Sequence, residues 1–319
     1  MNRLTALVFL VSGALASACF GASTSPIAAA NAALQAGEAD KTLSLLASLP
    51  PRDASLTHCR VDLMLESWDE AANQCEQAVR LDPQSSAAHL WLGRALGERA
   101  SRASFMNAYS LAKRVRQEFE EAVRLDPTSL DALMDLGEFY YDAPGVVGGG
   151  IAKAQSVALQ VDKLDSVRAL ELSGHIDQQR KDYAAAEAKF KQAVSASRHP
   201  AYQWLTLAGL YRTRERWAEM IASVHSVFTV GQHDPKTAPA LYDAAAILIK
   251  THREPEFAVK LLNAYLASPA KSEQAPAFVA HLRLARLLSE LGDSTGAARE
   301  RATSLALAHG YKPAQERKH

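Results

Sequence analysis

The stretch of this 319-residue chain with the most chemical potential is rich in glycine: Asp142-Ala143-Pro144-Gly145-Val146-Val147-Gly148-Gly149-Gly150. Successive glycines just ahead of a helix can turn backbone N–H groups toward an anion. The stretch lacks the Gly-Lys-Ser/Thr ending of a nucleotide-binding loop and follows no strand, which argues against a nucleotide. Two readings stay open. The glycines supply positive φ and close packing, or Gly148, Gly149 and Gly150 join Tyr140, Tyr141 and Lys153 in a ligand or partner surface. Ser110 and Lys113 have the Ser-x-x-Lys spacing of penicillin-recognising enzymes, but no Ser-Asp-Asn or Lys-Thr-Gly accompanies them. The ten histidines form no His-Glu-x-x-His pair, so neither a zinc site nor another cofactor is expected. The chain reads as a non-enzyme.

Whatever these residues do, a sizeable core must position them. The composition, 48% hydrophobic and 22% charged, provides one. Lysine plus arginine and aspartate plus glutamate both number 35, so no net field draws in nucleic acid or an anionic membrane. Residues 1–22 read as a cleaved export signal: Arg3, an apolar run from Leu4 to Leu15, then Ala16-Ser17-Ala18. That run is too short to span ~30 Å of hydrocarbon comfortably, so no transmembrane segment is expected after cleavage. The expected location is periplasmic or secreted. Cys19 could carry a lipid anchor, although Ala16 stands where such signals usually have leucine. Cleavage beyond Cys19 leaves Cys59 and Cys75, an even number suited to an oxidising compartment.

Helical periodicity dominates the remainder, and no long alternation of β-branched residues suggests a sheet. Two segments end alike, Glu76-Gln77-Ala78-Val79-Arg80-Leu81-Asp82-Pro83 and Glu120-Glu121-Ala122-Val123-Arg124-Leu125-Asp126-Pro127. Each proline stops a helix. Small and large residues recur at helical spacing: Leu92, Gly93, Leu96; Leu133, Leu136, Gly137, Tyr140; Leu170, Gly174, Ala186, Phe190, Ala193; Trp204, Leu207, Ala208, Tyr211; Tyr242, Ala245, Leu248; and Leu284, Ala285, Leu288, Ala297. This pattern resembles the tetratricopeptide repeat family, and the resemblance covers most of residues 26–310. It implies an all-α solenoid of about seven antiparallel hairpins in a right-handed superhelix, interrupted by the insert near 143–150. Residues 311–319 read as a polar, disordered tail.

The resemblance also places Cys59 and Cys75 on facing helices of the second hairpin, where a disulfide is expected. Its stacked first helices imply a concave face offering Arg94, Asp131, Glu138, Glu171, His175 and Arg212, mixed in sign and without the asparagines of a carboxylate clamp. The function expected is a scaffold in the cell envelope that binds another protein or peptide on that face. The insert followed by Lys153-Ala154 is similar to one in envelope repeat proteins, including the T component of tripartite solute transporters. That similarity implies an alternative, a small-molecule-binding accessory whose partner is a solute-binding protein.

Overall fold

A computed structural model describes residues 25–316, which form helices and turns with no strand. Sixteen helices pair in sequence into eight antiparallel hairpins: α1 (Pro26–Gln35) with α2 (Ala39–Leu46), α3 (Pro51–Met64) with α4 (Trp68–Leu81), α5 (Ser86–Ala100) with α6 (Phe105–Leu125), and α7 (Leu130–Asp142) with α8 (Ile151–Asp162). The series continues with α9 (Ser166–Gln179) and α10 (Tyr183–Ala196), α11 (Ala201–Thr213) and α12 (Trp217–Gly231), α13 (Pro239–Thr251) and α14 (Pro255–Ala267), and α15 (Ala277–Glu290) and α16 (Ser294–Leu307). A short α17 (Lys312–Gln315) follows. The eighth hairpin, beyond the seven expected, is the abbreviated α1–α2 pair, whose alanine-rich sequence carries few of the large marker residues.

The repeated Leu-Asp-Pro endings work as turns through local hydrogen bonds. After α4, Asp82 Oδ1 accepts from the N–H of Gln84, and after α6, Asp126 Oδ1 accepts from that of Thr128. The next serine caps the following helix: Ser85 Oγ accepts from Ala88 N, and Ser129 Oγ from Ala132 N. One proline-and-serine device thus ends one hairpin and starts another. Just after the first helix of six hairpins a turn residue adopts positive φ, at Gly37, Glu66, Lys181, Glu215, His252 and Gly292, the left-handed ending that closes many helices.

Small residues set the helix spacing. A Cβ on Gly93 would lie 2.4 Å from Phe119, one on Gly174 2.4 Å from Phe190, and one on Gly137 2.8 Å from Leu172. Each glycine is therefore a hole filled by the neighbouring helix's large side chain. The expected disulfide joins Cys59 on α3 to Cys75 on α4, with both residues fully buried and their Cα atoms 5.1 Å apart. These contacts define an all-α solenoid of antiparallel helical hairpins.

The solenoid closes on itself. Leu34, Val61, Met64 and Leu65 from the first hairpins share one apolar cluster with Tyr242, Phe278, Leu282 and Tyr311 from the last ones. Gly37, at φ +72°, lies against the loop between α14 and α15, where a Cβ would come within 3.0 Å of Pro276 Cα. Arg60 grips Glu273 of that loop with two hydrogen bonds of 3.0 and 2.8 Å. Tyr311 Oη donates to Glu66 at 2.8 Å, and His309 N donates to Asp40 at 3.0 Å.

This closure corrects the expectation of a disordered tail from residue 311. Through residue 316 the chain is ordered because Tyr311 and Ala314 are buried against the last hairpin and the first, and Tyr311 packs edge-on against Phe278 at 4.9 Å. The export signal, Cys19 and residues 317–319 lie outside the described residues.

The glycine packing yields a direct check. Gly174→Ala forces its Cβ into the Phe190 ring and is expected to lower unfolding free energy by about 1–3 kcal/mol in urea denaturation, with helix content in dilute buffer unchanged.

Candidate functional site

The odd-numbered helices from α3 to α15 face the inside of the ring, and their inward side chains form a connected polar wall. Arg60 and Arg94 flank Trp91, with guanidinium carbons 5.0 and 4.6 Å from its ring centroid. Arg94 then donates to Asp135 on α7 at 2.6 Å. Arg168 on α9 lies 3.8 Å from Glu171, which accepts from Gln203 on α11 at 3.0 Å. On the far side Arg283 of α15 stacks on Tyr242 of α13 at 4.0 Å, beside Asp243. Arg283 Nη1 and Gln203 Oε1 are buried without a protein hydrogen-bond partner.

Between α3, α5, α6 and α7 on one side and Tyr242 and residues 273–283 on the other lies a cavity of about 940 Å3. Its walls mix apolar surface (Leu63, Trp91, Val115, Phe119, Phe139) with charge (Arg60, Glu66, Arg94, Glu98, Asp135, Glu138, Asp142, Glu273, Arg283). It exists because the ring is closed: Glu273, Gln274 and Pro276 of the closing loop are part of its lining.

The inner wall holds its carboxylates at an electrostatic cost. Burial pushes Asp243 up to about 6 despite the pull of Arg283. Asp135 is raised by burial even though Arg94 favours its charge. Glu138 is raised by the protein around it and then by the negative charges of Asp135 and Asp142, and Glu171 chiefly by burial. Such groups would be cheaper to fold if neutral.

The residues expected from sequence divide. Arg94 and Glu138 line the cavity. Glu171 lies on the same wall but is buried in its bond to Gln203. Asp131 is exposed and close enough to Arg94 to favour its charge. Arg212, half-buried on α11, neither lines the cavity nor joins the ion pairs of the wall. His175 is corrected from a surface group to a packed one. Its ring stacks on Tyr141 at 5.8 Å and meets Phe190 at 5.0 Å, and burial lowers its pKa to about 4, so it is neutral at physiological pH.

The glycine-rich insert has the positive φ and close packing of the first of its two readings. It folds into a 3-10 turn, Gly145–Val147, against α6. The N–H of Gly148 donates to Gly145 O, that of Gly149 to Pro144 O and that of Gly150 to Tyr140 O, so none is turned toward a ligand. Gly148 has φ +100° against Arg116, and a Cβ on Gly149 would overlap Ala143 O at 1.8 Å. Tyr140 is buried and donates to Glu120 at 2.8 Å, and Lys153 donates to Gly148 O at 2.9 Å. Of residues 143–150 only Ala143 reaches the cavity. The Ser110–Lys113 spacing also carries no nucleophile and base: Ser110 bonds Asn107 O, and Lys113 lies over Tyr109.

Sequence reasoning missed Arg60, Trp91, Asp135, Asp243, Glu273 and Arg283. The i, i+3 and i, i+4 spacings Trp91-Arg94-Glu98 and Asp135-Glu138-Asp142 mark one helix face each and were a usable signal. Glu273 sits in a loop with no periodicity, so no pattern pointed to it.

No protein-family model matches the chain, and no curated protein matches it. Solved structures do. A tetratricopeptide repeat protein from Parabacteroides merdae is 15% identical, with 83% of this chain and 97% of that one aligned and a TM-score of 0.49. The thermophilic repeat protein TTC0263 of Thermus thermophilus is 16% identical, with 62% and 97% aligned and a TM-score of 0.48. Pseudomonas aeruginosa pilF is 18% identical, with 83% and 96% aligned and a TM-score of 0.38.

The raised carboxyl of Asp243 makes the wall's cost measurable. A raised folded-state pKa contributes stability below the unfolded value near 3.8 that is lost as pH rises through about 6. Asp243→Asn is therefore expected to raise unfolding free energy by about 1–2 kcal/mol at pH 8 and to change it little at pH 4, read by thermal denaturation at both values.

Proposed function

We propose that the protein is an exported repeat scaffold that binds a segment of another cell-envelope protein on the inner wall of its ring. The observation that carries this reading is the cavity of about 940 Å3 whose lining includes Asp135 and Glu138, carboxylates whose charge the protein around them disfavours. Desolvated charge on a wall that packing alone would fill with apolar residues is the usual sign of a surface kept for binding. The cavity lies in the range of ~300–1,000 Å3 found for ligand sites, so a folded domain does not enter. The occupant is an extended segment or a small molecule.

The Cys59–Cys75 disulfide supports an oxidising compartment, in keeping with the leader read in residues 1–22. No helix among the described residues is long and apolar enough to cross a membrane. The aromatic lining of the cavity also favours a second reading, a small-molecule-binding accessory of a solute transporter.

Photo-crosslinking in intact cells of the source separates the two. With a benzophenone side chain at Ala100, which lines the cavity, the scaffold reading expects one defined envelope protein to be captured, and the same probe at exposed Gln84 on the outer turn to capture none. Equal capture from both positions, or none from Ala100, contradicts it. Mass spectrometry of gently purified protein then tests for a retained small molecule.

A further inference from the structure

The cavity has an acidic end whose form specifies its occupant more closely than the binding reading on which this inference rests. Its lining contains six carboxylates against three guanidiniums. Arg60 is spent on Glu273 and Arg94 on Asp135, while Glu98 is answered by Arg102 at 2.6 Å. Glu66, Glu138 and Asp142 are left against Arg283, which is held on the opposite wall by Tyr242. No cation pairs with these three carboxylates among the described ion pairs: Glu66 accepts only from Tyr311, Asp142 only from Gln179, and Glu138 has no hydrogen-bond partner.

Topology gathers the three at one end of the ring. Glu66 lies in the turn after α3, and Glu138 and Asp142 in the last turns of α7, which runs parallel to α3 and α5 along the wall. Between them the end of α5 presents Gly97 and Ala100, and the facing part of α6 presents Ala112 and Val115. This is a low, apolar bay rimmed by carboxylates.

Gly97 is the most informative residue there. A glycine inside a helix costs about 1 kcal/mol relative to alanine. One turn earlier, Gly93 is explained because Phe119 fills its place, whereas a Cβ on Gly97 would meet nothing within 4 Å. Packing within the chain does not require Gly97. The space over it is open, and a side chain there would occupy it. How a cation sits at this end is already illustrated by Arg102, whose guanidinium stacks on Trp68 at 4.0 Å while pairing with Glu98.

We propose that this bay takes an extended, basic peptide segment of the partner, with its backbone over Gly97, the methylene stems of lysine or arginine against Ala100, Ala112 and Val115, and the cationic ends among Glu66, Glu138 and Asp142. Side chains with an apolar stem and a charged tip match an apolar floor with an acidic rim. The negative excess also rejects acidic segments, since like charge in a half-enclosed site is costly.

Fluorescence anisotropy with purified full-length protein tests this, using labelled short peptides of alternating lysine and serine, glutamate and serine, or glycine and serine. The lysine peptide is expected to bind and the other two not. Glu138→Gln with Asp142→Asn should weaken binding about tenfold, as should high salt. Gly97→Leu should abolish binding while keeping or raising the melting temperature, because it fills open space and improves helix propensity. Gly97→Ala, the smallest filling, provides a second variant in which folding is not in question. The proposal is overturned if the lysine peptide does not bind, if the glutamate peptide binds equally, if spermidine competes at the concentration of the peptide itself, or if Gly97→Leu binds normally. Capture of a partner from Ala100 together with any of these results would leave the scaffold reading standing and remove only the basic-segment assignment.

Discussion

The bidentate grip of Arg60 on Glu273 is the contact on which the rest of the molecule depends. The two residues are 213 positions apart and largely buried, with side chains 16% and 10% exposed. They join the second hairpin to the loop before the last. An open solenoid exposes the apolar faces of its terminal hairpins, which is why repeat proteins usually carry polar caps. Here the first and last hairpins cap each other, and Leu34, Met64, Phe278 and Tyr311 share a core that neither end could build alone. The same contact turns a concave surface into a cavity. The binding site and the stability of the chain's two ends therefore have one cause.

The inner wall shows the opposing side of that arrangement. Packing withdraws water from Asp135, Glu171 and Asp243, and their carboxyls rise accordingly. The paired charges, Arg94 with Asp135 and Arg60 with Glu273, recover part of what desolvation costs through geometry that only the closed ring supplies. The remaining negative charge lies at one end, beside the bay over Gly97. Stability is concentrated in the hairpin cores and the closure, and is given up on the wall.

Much of the fold was legible because it is local. Asp82-Pro83 and Asp126-Pro127 announce turns that need only their own side chains and the following serine, and Gly93, Gly137 and Gly174 mark close helix contacts within reach of the next hairpin. Cys59 and Cys75 were pairable because one turn separates their helices. Closure was not legible, since it is the sum of small rotations over eight hairpins and is completed by Glu273 and Pro276 in a loop and Tyr311 in a segment that looked like a polar tail. Without closure, the inner face could be placed only by helix register, which found Arg94 and Glu138 but assigned His175 to the surface. Its neighbours Tyr141 and Phe190 lie on two other helices. The fate of the glycine insert's N–H donors was hidden for a similar reason: the groups that use them up are carbonyls whose positions depend on the folded turn.

The most direct test of ring closure is the distance between its two ends in solution. Nitroxide labels at Lys41, next to the Asp40 that receives His309, and at Lys312 of the final short helix report it by double electron–electron resonance, with the native disulfide kept intact. A single short and narrow distance that broadens in Glu273→Ala is the result this account predicts. A long, broad distribution in the unaltered protein would contradict it, and with it the cavity.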